Sequence, residues 1–171
     1  MKRRYPVNNT MTGLIERLKL GNQHIYLQNT NGEVEAYTCS INSPATQDNI
    51  NYLLDQINMN VPIEYIDFLK YCNGCSLFNH HLYGGENLIY SCDEVVNFYH
   101  SLNAEGCLPI AYILQENIVI DCDAFNQGKE EYMYVKINSS FFDEGINLHC
   151  NFETWLYRFI ITNGNKYWNW L

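Results

Sequence analysis

The residues of this chain that look most like chemistry are Cys72-Asn73-Gly74-Cys75, followed closely by His80-His81. Two thiolates around a tight, glycine-containing turn form a common half-site for tetrahedral zinc. The other half is missing, because there is no second Cys-x-x-Cys, and Cys92 and Cys107 stand alone. A competing reading makes Cys72 the apolar end of a helix stripe and Asn73-Gly74 the stop of that helix. The second reading is preferred, so no metal and no cofactor are expected.

Asp121-Cys122-Asp123 is the next group. On a strand, alternate residues share a face. Asp121 and Asp123 are therefore expected side by side, near Glu130 and Glu131 beyond the following turn. Such a patch suits docking of a basic protein; its alternatives are a solvated strand end and a divalent-cation site. The end of the chain carries Trp168 and Trp170, either as a flap packed over the core or as an exposed anchor of the kind enriched in interface hot spots. Asp121, Asp123, Glu130, Glu131, Trp168 and Trp170 are the expected partner-binding residues. No catalytic residue is expected. There is no Gly-x-Ser-x-Gly elbow, no His-Glu-x-x-His and no deaminase pattern. Gly84-Gly85 lacks the Lys-Ser/Thr of a phosphate loop.

The elements that must position these groups follow from periodicity. Ile50, Leu53, Leu54, Ile57 and Val61 form one apolar stripe at helical spacing, with Thr46 as N-cap. Pro62 separates this helix, ending near Asn60, from a second one carrying Tyr65, Ile66, Leu69 and Cys72. Residues 12–20 read as a short helix, and residues 23–28 and 33–39 as a hairpin about Asn31-Gly32. Ser91 and Glu94 form a capping box for a helix to about Leu102, with Tyr90 and Val95 as a hydrophobic staple. Residues 108–114 and 118–122 read as strands about the turn Gln115-Glu116-Asn117, and residues 132–137 as another. Asn151 caps a last helix bearing Phe152, Trp155, Leu156, Phe159 and Ile160, closed by Asn163-Gly164. Sequential strands with short connections and helices outside them predict an α+β fold, a mainly antiparallel twisted sheet with flanking helices.

At 171 residues, 47% hydrophobic and 17% charged, the chain has the size and composition of one globular domain. Ten basic against 19 acidic side chains give a formal charge of −9. Residues 1–85 carry 6 basic and 7 acidic side chains; residues 86–171 carry 4 and 12. This excludes nucleic acid as the expected ligand, since phosphate binding needs Lys and Arg, and fits a basic protein partner. No 18-residue apolar run and no apolar signal core appear, so neither a membrane span nor a targeting segment is expected. Seven cysteines without framework spacing point to reduced thiols and a cytoplasmic location.

Taken in order, these elements resemble the SUKH superfamily, which includes fungal regulators of cell-wall glucan synthesis and many bacterial immunity proteins. The resemblance runs over about residues 43–162. It rests on Pro44-Ala45 before a helix, on Val61-Pro62-Ile63-Glu64-Tyr65-Ile66-Asp67-Phe68-Leu69, and on Tyr71-Cys72-Asn73-Gly74. Later it rests on Leu108-Pro109-Ile110-Ala111, the strand at 118–123 and Phe152-Glu153-Thr154-Trp155-Leu156. Two features depart from it. Cys75 stands where a second glycine is usual, and Gln115-Glu116-Asn117 replaces a glycine-rich turn. Residues 1–42, a helix and a hairpin, lie outside it and are expected to pack on the same domain as residues 43–171.

The resemblance implies a non-enzymatic protein-binding module. It implies an immunity protein that neutralises a bacterial toxin, possibly a nuclease. The alternative is a scaffolding regulator of cell-wall synthesis or of other host proteins. A small zinc- or thiol-dependent enzyme is a third, weaker reading from the residues themselves.

Overall fold

A computed structural model describes residues 5–29, 31–102, 106–137 and 145–170. Among the described residues the sheet has eight strands in the order in which the chain makes them: β1 (Ile25–Gln28), β2 (Val34–Ile41), β3 (Cys75–His80), β4 (Asn87–Ile89), β5 (Cys107–Ile113), β6 (Glu116–Asp121), β7 (Met133–Ile137) and β8 (Ile146–Asn147). All seven pairings are antiparallel. Of the helices, α1 (Val7–Leu20) precedes the sheet, α2 (Gln47–Ile57), α3 (Ile63–Tyr71), α4 (Cys92–Ser101) and α5 (Cys122–Asn126) are spliced between its strands, and α6 (Phe152–Ile161) follows the last strand. The fold is α+β, with helices flanking an antiparallel sheet, as the strand spacing predicts. The N-terminal elements continue this architecture. β2 pairs with β3, and α1 packs on α3 and α6.

Local chemistry explains most boundaries. Thr46 and Asn49 cap α2 reciprocally at 3.2 and 3.0 Å, and Ser91 and Glu94 do the same for α4 at 3.4 and 2.8 Å. Asn151 accepts the Thr154 N–H at 3.0 Å to start α6. Each cap satisfies backbone donors that a helix leaves open, worth about 1 kcal/mol. Buried Phe152, Trp155, Leu156, Phe159 and Ile160 of α6 anchor the helix layer. Burying each such side chain contributes roughly 1.5–3 kcal/mol. Ile118 and Ile120 join that core, whereas Val119 packs in a separate cluster with Tyr99, Leu102, Cys107 and Tyr134. This is the two-residue period of a strand with both faces covered.

Several boundaries differ from the expectation. α1 begins at Val7, not near residue 12. Its buried stripe Val7, Met11, Leu14, Leu18 is interrupted in sequence by polar Asn8-Asn9-Thr10. α2 stops at Ile57 because Asn58 adopts the left-handed conformation, φ 48°. The β5–β6 turn is the two-residue Leu114-Gln115 with φ 44° and 72°, not Gln115-Glu116-Asn117. It is a mirror-image turn without the Asn or Gly that usually marks one. Tyr90 stacks on Phe98 at 4.5 Å, one helical turn beyond the expected staple partner Val95. α5, β8 and a final 3-10 helix at Tyr167–Trp170 were too short to show as periodicity.

Candidate protein-binding site

The Cys-Asn-Gly-Cys segment is a structural junction. α3 ends at Tyr71, and Cys72 is already extended, with φ −152°. Asn73 accepts the Cys92 N–H on its side chain at 2.9 Å and donates its own N–H to Ser43 at 2.9 Å. Gly74 has φ +81°, and a Cβ there would lie 2.6 Å from the Ser91 nitrogen and 2.9 Å from the Ile89 oxygen. So α3 closes on an extended cysteine, while Asn73-Gly74 fastens its end to the start of α4. Cys72 and Cys75 are buried. The hydrogen bond that the Cys75 thiol donates to Cys72, with burial, pushes that thiol well above its ordinary range. Burial likewise raises Cys92 and Cys150 to about 11 and Cys122 to about 12. Thiols held protonated in this way are poor nucleophiles and poor metal ligands. Among the described residues no group of three His, Cys, Asp or Glu side chains is placed to hold a metal ion.

A concavity lies elsewhere on the described surface. It is a groove of about 790 Å³ between the end of α5, the start of β7 and the first turns of α6. Its base is a hydrogen-bonded relay. The Tyr132 hydroxyl donates to Glu64 at the start of α3 and accepts the Phe152 N–H at 3.3 Å. Burial, then the bond to Glu64, raises the Tyr132 hydroxyl far above the ordinary phenol range, so it stays protonated. Glu64, Glu130, Glu131 and Glu153 line the groove, opposed by Lys129 and Arg158. Arg158 is partly engaged, its guanidinium lying 3.4 Å from the Leu148 carbonyl and 5.8 Å from the Tyr167 ring centre. Glu131 meets His149 at 3.1 Å with both side chains more than half exposed, so that pair adds little stability. The balance is acidic and suits a cationic surface.

The expected binding residues separate in space. Glu130 and Glu131 line this groove. Asp121 and Asp123 do not share a strand face: Asp121 ends β6 and caps α5, accepting the Ala124 N–H at 2.8 Å, which turns the chain helical. Asp123 instead lines a second groove of about 610 Å³ between the α2–α3 connection and α5. Trp168 is buried, its indole N–H donating to Glu116 at 2.7 Å, and Lys166 meets the same carboxylate at 3.2 Å. Trp170 is 72% exposed. Trp168 is thus packed as a flap, and the Trp170 ring stands in solvent. Glu64 and Glu153 were missed as groove residues. They look like ordinary first-turn acids, and only the approach of Tyr132, 68 residues from Glu64, reveals the position of Glu64.

The sequence model of the SMI1/KNR4 family (SUKH-1) matches residues 44–158. The chain belongs to this family. The match runs from just before α2 into α6, so α1 and the β1–β2 hairpin precede it. Two relatives come from Bacillus subtilis (strain 168). The chain is 30% identical to the uncharacterised protein YobM over 141 residues, 74% of this chain and 71% of the relative. It is 29% identical to the uncharacterised protein YnaB over 139 residues, 79% of this chain and 90% of the relative. SUKH-1 is generally a non-enzymatic domain, and both cysteines of the Cys72–Cys75 turn are buried. Among the described residues no helix is long and apolar enough to cross a membrane.

Proposed function

We propose that this SUKH-1 protein is an immunity protein that binds a basic protein toxin in the cytoplasm and covers or distorts the toxin's active site, without catalysing a reaction. The observation that carries the reading is the groove lined by Glu64, Glu130, Glu131 and Glu153. Complementary charge accelerates encounter and selects among partners. Membership of a family that includes bacterial immunity proteins supports it. Trp170, exposed at the chain end, offers a further contact, and Asp123 lies on a neighbouring concavity. Asp121 and Trp168 hold the fold instead.

The test is co-expression with the toxin encoded beside its gene. Growth is expected to return with the wild-type chain and to be lost with Glu130→Lys/Glu131→Lys. Death as fast with the wild-type chain as without it would falsify the immunity reading for that pair.

A further inference from the structure

The sheet begins on an open edge. Strand order follows chain order, so among the described residues β1 borders β2 on one side and no strand on the other. Ala36 accepts the His81 N–H at 3.0 Å, which points the backbone groups of Ala36 toward β3. Those of its neighbours Glu35 and Tyr37 therefore point to β1, where the register sets them opposite Leu27 and Ile25. By the same alternation the backbone N–H and C=O groups of Tyr26 and Gln28 face outward. Among the described residues no other strand or loop takes them up.

β1 carries none of the devices that close an edge. Ile25-Tyr26-Leu27-Gln28 has no charge and no proline. Tyr26 and Val34 share the outer face and are 60% and 67% exposed. Leu27, on the inner face with buried Ile25, is half-buried and packs on the core. Glu35, one strand in, has its carboxylate tied within its own hairpin by Tyr37 at 2.9 Å and Asn29 at 3.1 Å. The net charge sits elsewhere. Residues 1–85 carry 6 basic and 7 acidic side chains, and residues 86–171 carry 4 and 12. Because the sheet keeps chain order, the acidic half holds β4 to β8 and the opposite edge. Two copies of this acidic chain can therefore meet through β1 while their acidic halves stay apart, since repulsion between exposed charges fades within about 10 Å.

We infer that β1 pairs antiparallel with β1 of a second copy of this chain, about a twofold axis at Leu27, and joins the two sheets into one. Strand addition of this kind takes its affinity from main-chain hydrogen bonds, and an antiparallel pair of identical strands is self-complementary under a twofold. The register follows from the outward groups. Tyr26 faces Gln28 of the second copy, and each such pair exchanges two backbone hydrogen bonds. An axis at Tyr26 would instead call on His24, whose N–H is already given to Gly21 at 3.1 Å. About Leu27 the two Tyr26 rings lie on one diagonal of the outer face, within reach of each other, and each Leu27 covers its copy on the inner face. The inference stands apart from the immunity reading. The acidic groove lies by the start of β7, next to the far edge strand, so the dimer leaves both grooves open.

Sedimentation of the full chain over a wide concentration range tests it. Wild type is expected to dimerise with a dissociation constant on the order of 10–100 μM, the weak class that a short strand edge supports. Tyr26→Pro removes an outward N–H and no bond to β2, so it should weaken dimerisation at least about tenfold with an unchanged urea midpoint. Leu27→Cys tests the register separately and decides the matter even where Tyr26→Pro fails to fold. Directly opposed residues of a non-hydrogen-bonded pair stand within disulfide range, whereas diagonal ones do not. Under glutathione disulfide, Leu27→Cys should therefore cross-link to dimer at least about fivefold more than wild type or Tyr26→Cys. A chain that stays monomeric up to about 1 mM overturns the inference. So does a dimer that folded Tyr26→Pro leaves intact, or cross-linking of Leu27→Cys no greater than that of Tyr26→Cys. Failure of the wild-type chain to protect in the co-expression assay would remove the immunity reading, and sedimentation would still decide the dimer.

Discussion

Cys72–Cys75 and His80–Tyr83 are the two ends of one strand, and they use metal-type residues in opposite ways. At the first end every group is spent on the fold. Both thiols are buried, Asn73 holds the start of α4, and Gly74 fills a space with no room for a side chain. At the second end the same kind of residue is ordered but left outside. His80 organises its loop through one ring nitrogen, and Tyr83 stacks on it in solvent. The difference is one of access. Cys72 and Cys75 are buried, whereas Tyr83 beyond the other end of β3 is 85% exposed.

The sharpest way to break this contrast is Gly74→Ala. Its φ of +81° and the backbone atoms within 3 Å of the added Cβ leave nothing flexible to give way. A loss of about 3 kcal/mol or more is expected in urea unfolding. A loss below about 1 kcal/mol would mean the junction is not close-packed.

Alkaline pH should act next. Cys92, Cys122 and Cys150 have ordinary values of 9.0, raised by burial to about 11, about 12 and about 11. Above pH 9 the unfolded chain releases these protons while the folded chain retains them. Stability is therefore whole below pH 9 and falls as pH rises towards 11. A drop on the order of 1–3 kcal/mol between pH 8.5 and 10.5, under reducing conditions, is expected from urea midpoints. A flat profile would place the thiols in contact with water.

Asn73→Ala leaves the Cys92 N–H without its acceptor and should cost about 1–2 kcal/mol. At the other end of the strand Tyr83→Ala should change stability by less than about 0.5 kcal/mol, because the ring is exposed. If thermal unfolding showed Tyr83→Ala to be as costly as Asn73→Ala, the loop would be part of the core and the comparison would fail.

Features decided within one helical turn were legible in the sequence. Thr46, Ser91 and Asn151 cap the helices expected of them, and Gly164 closes α6 with φ +80°. Turns built from unusual residues were not. Leu114-Gln115 adopts positive φ at both positions because β5 and β6 pair on either side of it and impose the geometry. The four acids expected together are split for a related reason. Glu130 and Glu131 do line one groove, but Asp121 spends its carboxylate on a cap, and the turn of α5 carries Asp123 to another.

The sequence by itself determined the family, the α+β class, the helix caps and the acidic second half, because periodicity, capping and charge are short-range or summed properties. The tertiary structure alone decided which side chains share a surface. Glu64 meets Tyr132 across 68 residues, and Tyr37 meets His80 across the β2–β3 pairing. Such contacts depend on strand register and helix packing, which bring distant residues within a few ångströms and leave no local trace in the order of the amino acids.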